Sequence, residues 1–145
     1  FVGERERRLS GFGVSPGRCR LLLLIFSHRA DEADALARQG LDQALLVAEL
    51  EGRVVGMLQI TFIPGLSRRG AWRANIEAVR VDGSVRGRGI GGWLMSRALD
   101  QARKRGCRLA QLTSDKRRPD AHRFYERLGF TDSHVGYKLL LENAD

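Results

Sequence analysis

Cysteine is scarce in this 145-residue chain: Cys19 and Cys107 are the only two, and neither sits in a Cys-x-x-Cys pair. Two such residues build neither a disulfide framework nor a zinc ribbon, so a reducing, cytoplasmic setting and no metal site are expected. Long apolar runs are missing as well. The longest, Leu21 to Phe26, is far too short to cross a bilayer. Arg18 and Arg20 precede it as in a secretory leader, but Ser27-His28-Arg29 follows where small residues should stand, so no signal peptide is expected. Internal repeats and low-complexity tracts are absent, which excludes solenoid and fibrous architectures. Acidic residues are outnumbered: 17 Asp+Glu face 25 Lys+Arg, a net charge of +8. That balance suits a polyanionic partner, whether nucleic acid, an acidic membrane or a phosphorylated cofactor.

What remains is ordinary globular material. A chain with 43% hydrophobic and 29% charged residues is not disordered, and 145 residues make one domain, with 1–19 as an atypical or frayed start. Arginine supplies 22 of the 25 basic residues and is spread evenly, so no basic stripe stands out.

Arg20 to Phe26 reads as a short buried strand, and Asp31 to Gln39 as a helix with an acidic first turn and Gly40 beyond its end. Ala44–Leu50 and Arg53–Ile63 flank Glu51-Gly52 as a β-hairpin that Pro64-Gly65 closes. Ala71–Val81 reads as a strand in which Asn75, Glu77, Val79 and Val81 share one face. A helix follows over Gly89–Arg105, with Ile90, Trp93, Leu94, Ala98 and Ala102 on its apolar stripe. Arg108–Thr113 is expected as a strand, Pro119–Leu128 as a helix ended by Gly129, and Phe130–Thr131 and Val135–Leu141 as short final strands. The fold class is therefore mixed α/β (α+β), a mostly antiparallel twisted sheet flanked by helices.

One loop carries chemistry. In Arg86-Gly87-Arg88-Gly89-Ile90-Gly91-Gly92, glycines without Cβ let main-chain amides approach an anion, and the helix start adds free donors and a positive dipole end. Two arginines add formal charge. A Walker loop would need Gly-Lys-Ser/Thr, which is absent. Gly87-x-Gly89-x-x-Gly92 also meets the dinucleotide fingerprint, with Asp115 after the next strand, so a dinucleotide-binding oxidoreductase fragment is a rival. Against it, the strand ends near Val81 and four residues intervene before the Arg86 loop, and the alternating strand–helix series of a doubly wound sheet is missing. The other rival is a basic nucleic-acid-binding domain, which lacks a finger, an RNP-like strand or interleaved aromatics.

The stretch Val81-Asp82-Gly83-Ser84-Val85-Arg86-Gly87-Arg88-Gly89-Ile90-Gly91 resembles the acyl-coenzyme A loop of the GCN5-related N-acetyltransferases (GNAT), (Gln/Arg)-x-x-Gly-x-(Gly/Ala). Ala121-His122-Arg123-Phe124-Tyr125-Glu126-Arg127-Leu128-Gly129-Phe130 is similar to that family's late helix, A-x-x-x-Y-x-x-x-G-F. The resemblance covers Ala44 to Leu141. It implies a GNAT-like acyl-coenzyme A fold and direct transfer of acetyl from acetyl-coenzyme A, as cosubstrate, to a primary amine of an unidentified acceptor, a small molecule by preference. It also implies that a homodimer is common.

The same resemblance suggests roles. Arg86, Gly87, Arg88, Gly89, Ile90, Gly91 and Gly92 would hold the pyrophosphate, and the backbone of Val79, Arg80 and Val81 would pair with the strand-like pantetheine. An amide near Val79 would polarise the thioester carbonyl. Tyr125 occupies the general-acid position, and Phe124 and Arg118 join the cofactor contacts; Arg118 stands where the family often has Asn, so either a phosphate contact replaces the amide one or that contact is missing. Glu77, unusual in mid-strand, is the candidate base for the ammonium, with Asn75 orienting a water and an ion pair to Arg73 or Arg80 as the plain alternative. His122 is read as a packing residue. Phe62, Pro64, Leu66, Arg68, Arg69 and Trp72 are expected to wall the acceptor pocket.

Overall fold

The computed structural model describes residues 19–24 and 43–141, and the expected helix Asp31–Gln39 lies outside them. The chain divides into two compact units, Phe1–Leu112 and Thr113–Asp145. Among the described residues no helix is long and apolar enough to cross a membrane.

The first unit is built on a five-stranded sheet in the order β1-β2-β3-β4-β5. The strands are β1 (Cys19–Leu24), β2 (Gln43–Leu50), β3 (Arg53–Ile63), β4 (Arg73–Val81) and β5 (Leu109–Leu112). Neighbours from β1 to β4 run antiparallel, and β5 joins β4 in parallel. Such a sheet is not doubly wound, which removes the architecture that the dinucleotide reading requires. The β2–β3 turn is the expected two-residue one: Glu51 and Gly52 both take positive φ, at 52° and 77°, the pair of left-handed residues a type I′ hairpin needs.

Sequence periodicity sets the core. Ala44, Leu46 and Ala48 of β2 stand opposite Ile60, Leu58 and Gly56 of β3, so small and branched apolar residues share one face. Ala74 and Ile76 of β4 continue that face opposite Phe62 and Ile60. Helix α2 (Ile90–Lys104) packs on it across β2 to β4, burying Ile90, Trp93, Leu94, Met95, Ala98 and Ala102 at three- and four-residue spacing. Gly106, with φ of 75°, ends the following turn. A short helix, α1 (Ser67–Gly70), occupies the connection before β4, which sequence reading left irregular. The second unit holds α3 (Pro119–Arg127), with proline in its first turn and Gly129 at φ of 90° beyond its last.

Two expectations are corrected. Residues 130–141 form no strand: they pair with nothing among the described residues, and Val135, Tyr137, Leu139, Leu140 and Leu141 are exposed. Alternating apolar residues suit a strand, but without a ladder partner the backbone has no reason to adopt one. The second correction concerns β4. Gly56 and Met57 pair with Val81 and Arg80, whereas Gln59 pairs with Glu77, so Ala78 and Val79 both stand opposite Leu58. This β-bulge, with Ala78 at φ of 52°, reverses the alternation. Val79 and Val81 therefore lie on the α2 face with Ile76, while Asn75, Glu77 and Arg80 share the other.

Candidate active site

Three features meet around the end of β4. The first is the bulge just described. The second is the length of β4: its last pair with β5 is Ile76 with Leu112, yet β4 continues to Val81. Among the described residues no strand flanks Glu77–Val81 on the side away from β3, so the sheet is open there. The third is the turn leading to α2. Asp82 caps a single 3-10 turn, Gly83–Val85, accepting from the Ser84 amide and hydroxyl at 2.8 Å each. The Ser84 amide, then its hydroxyl, hold the Asp82 carboxyl below its ordinary pKa. The Asp82 amide donates to the Val55 carbonyl at 2.9 Å, tying the turn to β3.

The glycine-rich loop follows as an exposed arc. Gly87 and Gly89 take φ of 77° and 78°, the left-handed region that side chains disfavour, and Gly89 opens α2. No side chain caps the helix, and its first bond runs from the Trp93 amide to the Gly89 carbonyl at 3.0 Å. Among the described residues the amides of Gly87 through Gly92 donate to no acceptor. Arg86 and Arg88 are exposed and form no ion pair among the described residues. Free donors, a helix dipole and two guanidinium groups together make an anion cradle.

Gly56 is what seats this cradle, and sequence reasoning missed it. A Cβ there would stand 3.1 Å from Leu94 Cδ1, 3.2 Å from the Arg80 carbonyl oxygen and 3.3 Å from Ile90 Cγ2. Only a residue without a side chain lets the start of α2 settle onto β3 and β4. A glycine inside an otherwise apolar strand was the available signal.

The polar face of β4 holds Arg73, Asn75, Glu77 and Arg80, beside Gln59 and Thr61 of β3 and Gln111 of β5. Gln111 Nε2 donates to Asn75 Oδ1 at 3.4 Å. Glu77 is exposed rather than buried, and its alternative ion pair with Arg73 or Arg80 does not form among the described residues. Of the expected acceptor wall, Phe62 is instead in the core on the α2 face, with the Arg105 guanidinium 4.5 Å from its ring centre. Leu66 and Arg69 are exposed, Trp72 is half-buried, and the Arg68 side chain lies outside the described residues. Burial raises the Cys107 thiol, leaving it a poor nucleophile.

In the second unit, Tyr125 is half-buried on α3, edge-on to Phe124 at 5.2 Å and to Phe130 at 6.1 Å between ring centres. Burial raises its phenol pKa above the ordinary value, partly offset by the charge of Arg118. Arg118 is the residue before α3, and its carbonyl accepts from the Ala121 and His122 amides. His122 Nε2–H donates to the Asp115 carbonyl at 2.8 Å, fastening the turn into the helix, which fits its reading as a packing residue. Arg117 grips Asp115 at 2.7 Å and holds that carboxyl well below the usual carboxylate range.

The family model for the acetyltransferase (GNAT) family matches residues 19–130, which span both the anion cradle and α3. The chain belongs to the acetyltransferase (GNAT) family. As a GNAT chain it carries Arg86-x-x-Gly89-x-Gly91 at the start of α2 and the Ala121, Tyr125, Gly129-Phe130 pattern in and after α3. It is 34% identical over 96 residues to an uncharacterized N-acetyltransferase of Methanocaldococcus jannaschii, covering 65% of this chain and 42% of that protein. It is 37% identical over 90 residues to the aminoalkylphosphonate N-acetyltransferase of Salmonella typhimurium, covering 62% of this chain and 58% of that one. The chain thus spans about half the length of these two relatives. Among solved structures, one described as a transcriptional regulator from Bacillus halodurans superposes with a TM-score of 0.68 at 48% identity, covering 77% of this chain and 74% of that chain.

Proposed function

We propose that this GNAT chain is one N-acetyltransferase domain that moves acetyl from acetyl-coenzyme A directly to a primary amine of a small molecule. The observation that carries the reading is the arc of unengaged amides from Gly87 to Gly92 beside a β4 that outruns its neighbour. A family match that crosses from one compact unit into the other supports treating both as one domain.

Acetyl-coenzyme A supplies the activated thioester. Arg86, Arg88 and the amides of Gly87 to Gly92 hold its pyrophosphate. The backbone of Val79, Arg80 and Val81, with β5 already ended, offers strand-like hydrogen bonds to the pantetheine, and Phe124 and Arg118 complete the cosubstrate contacts. An amide near Val79 polarises the carbonyl oxygen. Glu77, exposed on the polar face beside Asn75, takes the proton from the ammonium directly or through water. The amine nitrogen bonds to the carbonyl carbon, and the carbon–sulfur bond breaks as Tyr125 gives its phenolic proton to sulfur. The proton left on the amide nitrogen passes through solvent back to the phenolate. A raised phenol pKa and a hydroxyl with no partner among the described residues suit that donor role. The small-molecule acceptor is supported by the Salmonella relative, named for aminoalkylphosphonates. A cytoplasmic setting and a homodimer belong to the same reading.

The test is free-thiol release from acetyl-coenzyme A across a panel of primary amines. Turnover with at least one amine, dependent on acetyl-coenzyme A, is expected; no release with any would overturn the assignment. A second reading, binding of nucleic acid, is favoured by the +8 charge and by the description of the Bacillus halodurans structure. Salt-sensitive DNA affinity without coenzyme A binding would establish it instead.

A further inference from the structure

Arg73 carries a side-chain donor that is unmatched among the described residues. Its Nε is shut away from solvent and donates to nothing among the described residues. The guanidinium makes no ion pair among the described residues. A buried donor without an acceptor is costly, and an anionic group brought by a ligand would satisfy it. Its strand partners, Ile63 on β3 and Leu109 on β5, are apolar and offer no side-chain acceptor.

Its place in the sheet says what that partner could be. Arg73, Asn75 and Glu77 follow one another at two-residue spacing on the face opposite α2, before the bulge at Ala78 disturbs the alternation. Between Arg73 and Glu77 the strand advances about 13 Å. The floor between them is polar: Thr61 stands opposite Asn75, and the Asn75 amide oxygen is held by Gln111. One end of this row bears the carboxylate proposed to deprotonate the amine, and the other bears the Arg73 guanidinium.

We infer that Arg73 is a specificity-determining residue that binds an anionic group, a phosphate, phosphonate or carboxylate, carried by the acceptor several bonds away from its reacting amine. The inference rests on the proposed N-acetyltransferase reading and adds the acceptor's charge to it. A planar guanidinium offers forked donors to such a group, which a lysine at the same place offers less well. Asn75 and Gln111, lying between, would meet the hydroxyl or ether groups of the linking segment.

The experiment measures kcat/KM by thiol release for matched amines, glucosamine 6-phosphate against glucosamine and 2-aminoethylphosphonate against propylamine. It uses the full chain and its Arg73→Gln and Arg73→Lys variants. We expect the wild type to prefer at least one anionic member of a pair by tenfold or more. Arg73→Gln should erase that preference through KM, Arg73→Lys should keep part of it, and coenzyme A affinity should stay unchanged in both. If Arg73→Gln does not fold, inorganic phosphate on the wild type decides: inhibition competitive with the anionic amine but not with acetyl-coenzyme A supports the inference, and its absence overturns it. Equal use of neutral and anionic amines, or a preference that survives Arg73→Gln, also overturns it while leaving acetyl transfer intact. Absence of transfer to every amine would instead bring down the underlying reading, and this inference with it.

Discussion

Gly56 and Leu94 meet so closely that a methyl group on Gly56 would stand 3.1 Å from the Leu94 Cδ1 atom. The Arg80 carbonyl, 3.2 Å from the same point, is main chain and cannot swing aside. Gly56→Val should therefore cost about 1–3 kcal/mol by overpacking. It should also lift the start of α2 and weaken coenzyme A binding beyond what lost stability alone explains. Urea denaturation alongside a coenzyme A titration separates the two effects; a variant as stable and as tight-binding as the wild type would contradict this role.

The bulge in β4 makes a second, opposite demand. Ala78 sits at φ of 52°, where a side chain is strained and a β-branched one more so. Ala78→Gly should fold at least as stably as the parent, whereas Ala78→Val should lose about 1–3 kcal/mol. Thermal unfolding of the pair checks this, and equal stability of the two variants would refute it.

Much of this fold was legible beforehand, and the failures have a common cause. The β2–β3 hairpin was readable because Glu51-Gly52 stands between two apolar runs, and α2 because its stripe is regular and Gly106 follows it. The loop from Arg86 to Gly92 announced itself through local glycine density. The bulge did not. It adds one residue to a strand whose sequence alternates smoothly, so Val79 and Glu77 seemed to share a face and in the sheet do not. Phe62 read as a pocket wall because its strand partner could not be known, and Val135–Leu141 read as a strand because composition cannot report a missing ladder. Arg73 was visible only as a salt-bridge partner for Glu77; that its Nε is enclosed and unmatched among the described residues is a fact of packing.

Arg86 and Arg88 lie exposed on either side of Gly87 and are free to meet an anion. Replacing either by Gln should weaken coenzyme A binding roughly tenfold, in line with about 1.4 kcal/mol for one charge-assisted contact. The loss should shrink as salt rises, and KM for the amine should not move. Calorimetry at two ionic strengths tests the pair; unchanged affinity at low salt would remove them from the cradle.

Tyr125 carries the proton-donor proposal. Burial raises its pKa above the ordinary value of 10.0, so the phenol stays protonated through the neutral and mildly alkaline range. The kcat–pH profile should then show no alkaline decline below about pH 10 from this group. Tyr125→Phe should retain coenzyme A affinity and lose about 10²-fold or more in kcat. Steady-state kinetics with any accepted amine is the check, and an unchanged kcat would end the assignment.

The central claim is that the main-chain arc from Gly87 to Gly92 receives the diphosphate of coenzyme A. Parallel calorimetric titrations of the full chain with acetyl-coenzyme A, coenzyme A and NAD test it most directly. Saturable binding of both coenzyme A species with no heat from NAD is the predicted result. Binding of NAD alone, or of none of the three, would contradict the account.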